Sequence, residues 1–401
     1  MLTPTQAADA IFAAMPEFGT ESVPVADACG RVLRQPVRAE RDQPPFDRVT
    51  MDGIALSFAA FDRGLRRFTV QGTQHAGDPA QTLDDETACI EVMTGAVMPP
   101  GADCVVPVER IANDGGIARV EDGYSAEPRQ FIHPQGSDYR RGNEVLADGH
   151  TITPLEIAVI ASCGLASVTV SAVPAIRVIS TGNELVPAGQ AIEPHQIRLS
   201  NGPAVVAQLR QQGYRDCTHD HIVDDERLLR DRLARHLDEA AILILSGGVS
   251  MGKADFVPRA LTDLSVRQVF HKVSQRPGKP FWFGTGARGQ AVFALPGNPV
   301  STLVCCRHYV LPALAAASGE KPGPVSSAVL TEAFHFPPSL TCFLPVRLAA
   351  GDDGRLLATP APTNTSGDFT SLCGTDGYVE LERDRTDFPA GTVVPFHPWA
   401  H

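Results

Sequence analysis

The ten residues SGGVSMGKAD, Ser246 to Asp255, could bind a phosphate and a metal ion together. Gly247, Gly248 and Gly252 lack a Cβ, so a ligand can approach the main chain closely. Free N–H groups in such a loop form a concavity for anions, and Ser250 adds a hydroxyl. Asp255, at the end, is a hard oxygen donor suited to Mg²⁺. Phosphate with a metal points to nucleotide chemistry; a tight turn with a solvated carboxylate is the competing reading. Three further polar segments each follow an apolar run. STGNEL brings Ser180, Gly182 and Glu184. HKVSQRPGKP brings a local basic cluster, Lys272, Arg276 and Lys279. LPGNPVS brings Pro296, Asn298 and Ser301 at the start of a helix, where the N-terminus favours an anion. Asp224 joins Glu184 and Asp255 as a further carboxylate. Cations beside carboxylates fit a phosphate ester held with Mg²⁺. Each charge alone reads as a solvated group; the convergence of the loops carries the argument.

These loops need a scaffold that ends several strands at one edge. Over 175–318 the pattern predicts a strand at IRVIS and a helix from Pro203 to Gln212 stopped by Gly213. A second helix follows Asp224, with Leu229, Leu233 and Leu237 at i, i+4 spacing. Strands at ILIL, RQVFHKV and VFAL follow, then a helix with Asn298 at the N-cap and Pro299 at N1. Strand–helix alternation predicts a parallel sheet covered on both faces, with functional loops at the carboxyl ends of its strands. Residues 1–40 begin with a predicted helix whose face is Ala8, Ile11, Phe12 and Met15, and Pro44 and Pro45 then break the chain. Residues 46–145 are rich in Val, Thr, Gly and Pro in short runs, predicting a small β-rich domain. PLEIAVIASCGL, within 146–174, reads as a helix that folds back beside the N-terminal one. AASGEKPGPVSS reads as a linker, and 327–401 as a small β domain.

Bulk properties agree with a multidomain globular chain. A length of 401 residues gives a prior of roughly two to three domains. With 43% hydrophobic and 20% charged residues, the chain can bury folded cores. A net charge of −12 argues against a nucleic-acid partner, and an anionic ligand would need a local basic patch or a metal. Nine scattered Cys with no CxxC pair fit buried thiols in a reducing compartment. The N-terminus lacks a basic, signal-like segment, and the longest apolar stretch noted, Ile157 to Val170, is too short to span a bilayer. The expectation is a soluble cytoplasmic protein without membrane partners.

The motifs together resemble the molybdopterin molybdotransferase family, of the MoeA and gephyrin E-domain type. PPFDRVTMDGIA resembles the family's PxFDxSxMDGYA, and EVMTGAVMPPGADCVVPVE its MTGAxxPxGADxVVxxE. STGNEL, SNGP, SGGVSMGKAD, RPGKP and LPGNPVS follow in family order over nearly the whole chain. The resemblance implies a multidomain α/β plus β architecture. Residues 1–45 with 146–174 would form a split helical dimerisation domain, 46–145 an inserted β-rich domain, 175–318 a central parallel-sheet α/β molybdopterin-binding domain, and 327–401 a C-terminal β domain. It implies molybdenum insertion: adenylylated molybdopterin and molybdate bind, the pyrophosphate bond is cleaved with Mg²⁺, and AMP leaves. It also implies a homodimer whose cleft combines the α/β domain of one subunit with the β-rich domain of the other. An upstream molybdopterin adenylyltransferase and downstream molybdoenzyme maturation factors would be partners.

By the same resemblance Glu184, Asp224 and Asp255 match acidic positions near nucleotide and metal, although helix capping is an alternative for Asp224. Asp52 and Thr94 match contributions of the β-rich domain to catalysis; turn chemistry at Asp52-Gly53 is the alternative. Asp138 matches another acidic position. Lys272, Arg276 and Lys279 match the basic segment, and Ser301, Arg347 and Ser371 the oxyanion pocket for molybdate. For Arg347 and Ser371 a surface arginine and a turn serine compete. Val49, Ile54, Ser137, Asn183 and Arg276 depart from the family's common Ser, Tyr, Glu, Asp and Lys. Three other classes compete with the insertion enzyme: a cofactor carrier, a scaffold, and an adenylyltransferase sharing the α/β fold. The retained carboxylates and the flanking domains favour insertion.

Overall fold

Ile242–Ser246 and Ala291–Leu295 are buried along their whole lengths, and strands without a polar face must be covered on both sides. They lie at the centre of a six-stranded sheet in a computed structural model that describes residues 1–248 and 257–399. Ser250 and Asp255 fall outside the described residues. The strand order is Cys217–Ile222, Ile176–Thr181, Ile242–Ser246, Ala291–Leu295, Trp282–Thr285, Arg267–His271. Alternate side chains feed opposite cores. Ile242, Ile244 and Phe293 pack with Val205 and Leu209 of the helix Asn201–Gln211, and with Tyr309 and Leu314 of the helix Pro299–Ala317. Leu243, Leu245 and Val292 pack instead with Leu229, Leu233 and Leu237 of the helix Glu226–Glu239, and with Leu261 of the helix Val257–Asp263.

Several expectations are corrected. Only the first four strands of the sheet pair in parallel. Trp282–Thr285 is reversed and pairs antiparallel with both Arg267–His271 and Ala291–Leu295, because residues 272–281 and 286–290 connect these strands with no crossover helix to return the chain to the same end. The strand Cys217–Ile222 was not anticipated: its sequence, CTHDHI, is polar at alternate and adjacent positions, as an edge strand permits. The helix after Asp224 is capped by Asp225, whose carboxylate accepts the Leu228 N–H at 2.7 Å. Capping therefore does not account for Asp224. The N-terminal helix, Pro4–Phe12, buries Pro4, Ala7 and Ile11; Phe12 is exposed, and Met15 lies beyond the helix end. Thr3 forms a capping box with Gln6, which fixes where that helix begins. Its Ala7 and Ile11 enter the α/β core.

The chain divides into two compact units. One comprises Met1–Gln35, Asp148–Pro154 and Ser167–His401, and so joins the N-terminal helix to the α/β sheet. It also contains a C-terminal barrel. Thr341–Ala350 pairs with Leu356–Pro360, then Ser326–Leu330, Val393–Pro398 and Gly377–Leu381 follow, and the last pairs back with Thr341–Ala350. Closure leaves no free sheet edge in that ring. The other unit comprises Pro36–Ala147 and Leu155–Ala166. Its sheet has the order Cys104–Pro107, Gly53–Leu56, Ala88–Val92, Arg67–Gln74, Ile117–Val120, Ile111–Asp114. The predicted helix at PLEIAVIASCGL is present as Pro154–Ser162.

Pro299–Ala317 is, by length and composition, apolar enough to cross a membrane, with a mean hydropathy of 1.3. It is a core helix here, with 67% of its apolar window buried inside the protein.

Leu233 is fully buried, whereas Leu228 on the same helix is 40% exposed. Leu233→Ala should therefore lower unfolding free energy by about 2–5 kcal/mol and Leu228→Ala by less than about 0.5 kcal/mol. Urea denaturation of the two variants checks this; equal midpoints would contradict the assigned face.

Candidate active site

The parallel strands end in register: Ser180 is opposite Ser246, and Ser246 opposite Leu295. The chain leaves each strand with little room. Gly247 has φ 99°, and a Cβ there would lie 2.7 Å from the Thr181 carbonyl oxygen. A Cβ on Gly297 would lie 3.4 Å from Gly247 Cα, so the two loops run side by side with little space between them. Asn201 ties them together. Its Nδ2 donates to Ser246 Oγ at 2.9 Å and to the Gly297 carbonyl at 2.7 Å. Behind it, His219 Nε2 is 3.0 Å from Ser180 Oγ, and His221 Nε2 is 2.9 Å from the Gly182 carbonyl. Burial holds His219 below the ordinary imidazole value, so the ring is neutral at pH 7. A Cβ on Gly202 would fall 2.0 Å from His219 Nε2, so that contact requires glycine.

These strand ends open into a cleft of about 750 Å³. Gly182, Glu184, Asp224, Gly247, Gly248, Pro296 and Asn298 all line it, bringing together predicted residues from four segments. An adjoining recess of about 70 Å³ adds Ser180, Asn201 and Ser246. Thr181 Oγ1 and Asn201 Oδ1 are buried there without a hydrogen-bond partner among the described residues. Unsatisfied buried polar atoms are costly in a folded protein, and a polar ligand would satisfy them. Asp224 and Asn183 are bonded reciprocally: the Asn183 N–H donates to Asp224 Oδ2 at 3.3 Å, and the Asp224 N–H to Asn183 Oδ1 at 3.0 Å. Asn183 keeps this bond without placing a second negative charge against Asp224. Carboxylates with a hydroxyl are hard oxygen donors, the set that suits Mg²⁺.

The basic segment sits differently. Arg276 and Lys279 are exposed, and Lys272 is half-buried with a left-handed φ of 75°. Pro280 lines the cleft, but these three cations do not. Among the described residues the cation lining it is Arg198, whose Nη1 donates to the Pro187 and Gln190 carbonyls at 3.0 and 2.9 Å. Asn298 is the N-cap as expected, but its Nδ2 donates to Ser366 Oγ at 2.8 Å, and the Val300 N–H donates to the Ser366 carbonyl at 3.1 Å. That helix terminus is partly satisfied by protein before any anion arrives. Ser301 is buried. Arg347 is exposed on a barrel strand, and Ser371 Oγ donates to Asp368 Oδ2 at 2.6 Å, holding that carboxyl below its usual range. In the other unit, Asp52 Oδ1 accepts both the N–H and the hydroxyl of Thr94 at 2.6 Å, and this pair of bonds lowers the Asp52 carboxyl value. Asp138 Oδ1 is 2.9 Å from His133 Nε2.

Thr181, Asn201, Arg198, His219 and His221 were not singled out from sequence. The signal for the histidines was available: THDH within a strand-length run has too many polar groups for packing alone. SNGP also placed Asn201 directly before Gly202, the glycine that admits His219.

Comparison with known proteins agrees with this architecture. Residues 2–164 match the MoeA N-terminal region (domain I and II), 177–316 a probable molybdopterin binding domain, and 327–399 the MoeA C-terminal region (domain IV). A molybdopterin molybdenumtransferase of Synechocystis is 38% identical over the whole of both chains. One from Haemophilus influenzae is 30% identical over 100% of this chain and 99% of its own. Among solved structures, a molybdopterin biosynthesis MoeA protein from Pyrococcus horikoshii gives a TM-score of 0.83 at 25% identity, over 99% of this chain and 100% of the other.

Asp220 anchors the strand that carries His219 and His221. Arg232 binds both of its oxygens, at 2.5 and 3.1 Å, and His236 Nε2 is 2.8 Å away. Desolvation raises the Asp220 value, but the bonds from Arg232 and His236 outweigh it and hold the carboxyl below its usual range. Its stabilisation is thus fully present above the unfolded value near 3.9 and is lost as pH falls through the lower folded value. Asp220→Asn should cost about 1–3 kcal/mol at pH 7, and the difference from wild type should shrink below about pH 4. Urea midpoints across pH check this; a pH-independent difference would contradict it.

Proposed function

Since this chain belongs to the MoeA family and is a transferase of molybdenum cofactor biosynthesis, we propose that its strand-end cleft binds adenylylated molybdopterin and couples molybdate insertion to release of AMP. The observation that carries the reading is one cleft holding Glu184 and Asp224, with two buried polar atoms in it and its adjoining recess, Thr181 Oγ1 and Asn201 Oδ1, that have no partner among the described residues. A bare turn has no use for that set. Thr181 can donate its hydroxyl to a phosphate oxygen, and Asn201 Oδ1 can accept a ligand N–H. Arg198 supplies positive charge at the cleft of an otherwise acidic chain.

Glu184 and Asp224, with Asp255 by resemblance, would hold Mg²⁺. Bound there, the ion supplies charge neutralisation at phosphate oxygens and orientation of a water. The balance is simple: water adds across the pyrophosphate bond, AMP leaves with one phosphate, and the pterin phosphate remains with its dithiolene free for molybdenum. Asn183 keeps Asp224 in place by bonding its backbone and side chain. Asn201 keeps the loops of Ser246 and Gly297 at one spacing, so the ligand meets a preformed surface. Lys279 adjoins Pro280 of the cleft lining, and with Arg276 it would attract the molybdate dianion. Asp52 and Thr94 belong to the reaction by resemblance. The protein acts as a cytoplasmic homodimer, between the adenylylating enzyme that makes its substrate and the factors that deliver the finished cofactor.

Purified protein incubated with adenylylated molybdopterin should release AMP only when both Mg²⁺ and molybdate are present. Glu184→Gln should slow release by at least about tenfold while leaving the fold intact, on the scale of losing a group that supports a bound metal. AMP release at an equal rate without molybdate would reject the coupling. Tight substrate binding with no AMP under any condition would make the protein a carrier.

A further inference from the structure

A second group of metal-binding side chains lies away from the cleft, where the helix Pro299–Ala317 meets the C-terminal barrel. His308 projects from that helix, Glu380 from the strand Gly377–Leu381, and His397 from the strand Val393–Pro398. One ligating atom from each lies within 4.8 Å of the other two, and all three residues are half-buried. We propose that His308, Glu380 and His397 form a site for a divalent transition-metal ion, with zinc the best fit, that staples the barrel to this helix.

The donor set is the first argument. Two imidazoles and one carboxylate suit zinc and its borderline neighbours, not Mg²⁺, which takes oxygen. This chemistry therefore differs from that of the cleft. Geometry is the second. His397 Nε2 and Glu380 Oε2 are 3.3 Å apart. That is close to the edge of a tetrahedron with metal bonds of about 2.0–2.1 Å, roughly 3.3–3.4 Å. The third donor lies within 4.8 Å of both, and a water would complete a four-coordinate shell.

Preorganisation is the third argument. His308 Nδ1 is 3.0 Å from Tyr378 Oη; in the tautomer whose Nδ1–H donates to the phenol, the Nε2 lone pair is left for a metal. Tyr378 also stacks on His397, with centroids 5.0 Å apart and planes at 17°. In the barrel Tyr378 is opposite His397, which sets that stack. Arg307 Nε donates to the Pro398 carbonyl at 2.6 Å, tying the residue before His308 to the residue after His397. Finally, the helix is not regular here: Cys306–Val310 forms a π turn, which presents His308 differently from an α-helical residue. Such turns recur at functional sites. A His–Glu hydrogen bond beside a packed histidine is the ordinary alternative, and it leaves the π turn unexplained.

The site would act at a distance on the cleft, because the same helix begins with Asn298 and Pro299 in the cleft lining. The test needs no activity assay, so its failure says nothing against the proposed reaction. Chelator-treated full-length protein, with uniformly ¹⁵N-labelled histidine, is titrated with Zn²⁺ and separately with Mg²⁺. Zn²⁺ should shift the imidazole nitrogens of His308 and His397 together, and Mg²⁺ should leave them unmoved. Co²⁺ substituted at this site should give visible ligand-field bands without a sulfur-to-cobalt charge-transfer band, which separates it from the exposed Cys29 and Cys373. His397→Gln and Glu380→Gln should each weaken binding of that equivalent at least about tenfold. Unmoved His308 and His397 signals would overturn the site, as would unchanged zinc affinity in both variants. If a variant fails to fold, the titration of the wild-type histidines decides alone.

Discussion

The contact between two glycine-bearing loops, held by the side-chain amide of Asn201, is the constraint on which the cleft depends. Ser246 ends one buried strand and Leu295 the next, and neither strand has a polar face to spare. The chain can turn outward at both ends only if the turns are thin. Gly247, with its left-handed φ and its close approach to Thr181, keeps one turn thin, and the two hydrogen bonds from Asn201 fix the spacing to the other at Gly297. Everything else at the cleft is referred to that edge. The strand Ile176–Thr181 sets Thr181 and Glu184 beside it, and His219 and His221 hold Ser180 and Gly182 from the outer strand. Asp220 then secures the outer strand by an ion network on its helix side.

Charge follows from this geometry. The chain carries a net charge of −12, yet on the proposed function its cleft admits phosphates and an oxyanion. Carboxylates at Glu184 and Asp224 make sense there if a cation is shared between them and the ligand, and Asn183 avoids adding a further negative charge next to Asp224. Among the described residues Arg198 is the cation in the lining. The exposed Arg276 and Lys279 stand outside it, beside Pro280. An attracting role for them therefore fits better than a clamping one in this arrangement.

Much of this was legible in the sequence, for identifiable reasons. ILIL and VFAL are continuous apolar runs, and Leu229, Leu233 and Leu237 repeat at helical spacing; both are local signals. The ordered motifs placed the cleft residues on the right strand ends. Other features were not legible because they depend on partners distant in sequence. CTHDHI became a strand only because Ile176–Thr181 offered it a parallel edge. Asp225 displaced Asp224 as the cap by one residue, within the margin by which helix starts vary. The antiparallel turn at Trp282 and the closure of the barrel between Gly377–Leu381 and Thr341–Ala350 are set by long-range pairing. Ser371 matches an oxyanion-pocket position by resemblance with a turn serine as the competing reading, and its hydroxyl donates to Asp368 three residues earlier.

The central claim is that this strand-end cleft is where adenylylated molybdopterin binds. Amide hydrogen exchange, followed with and without adenylylated molybdopterin in the absence of molybdate, measures that directly. The account predicts slowed exchange concentrated at residues 180–184, 200–202, 246–248 and 296–298, the segments that line the cleft and its recess. Saturating substrate that leaves these segments unchanged, with protection appearing elsewhere in the chain, would contradict it.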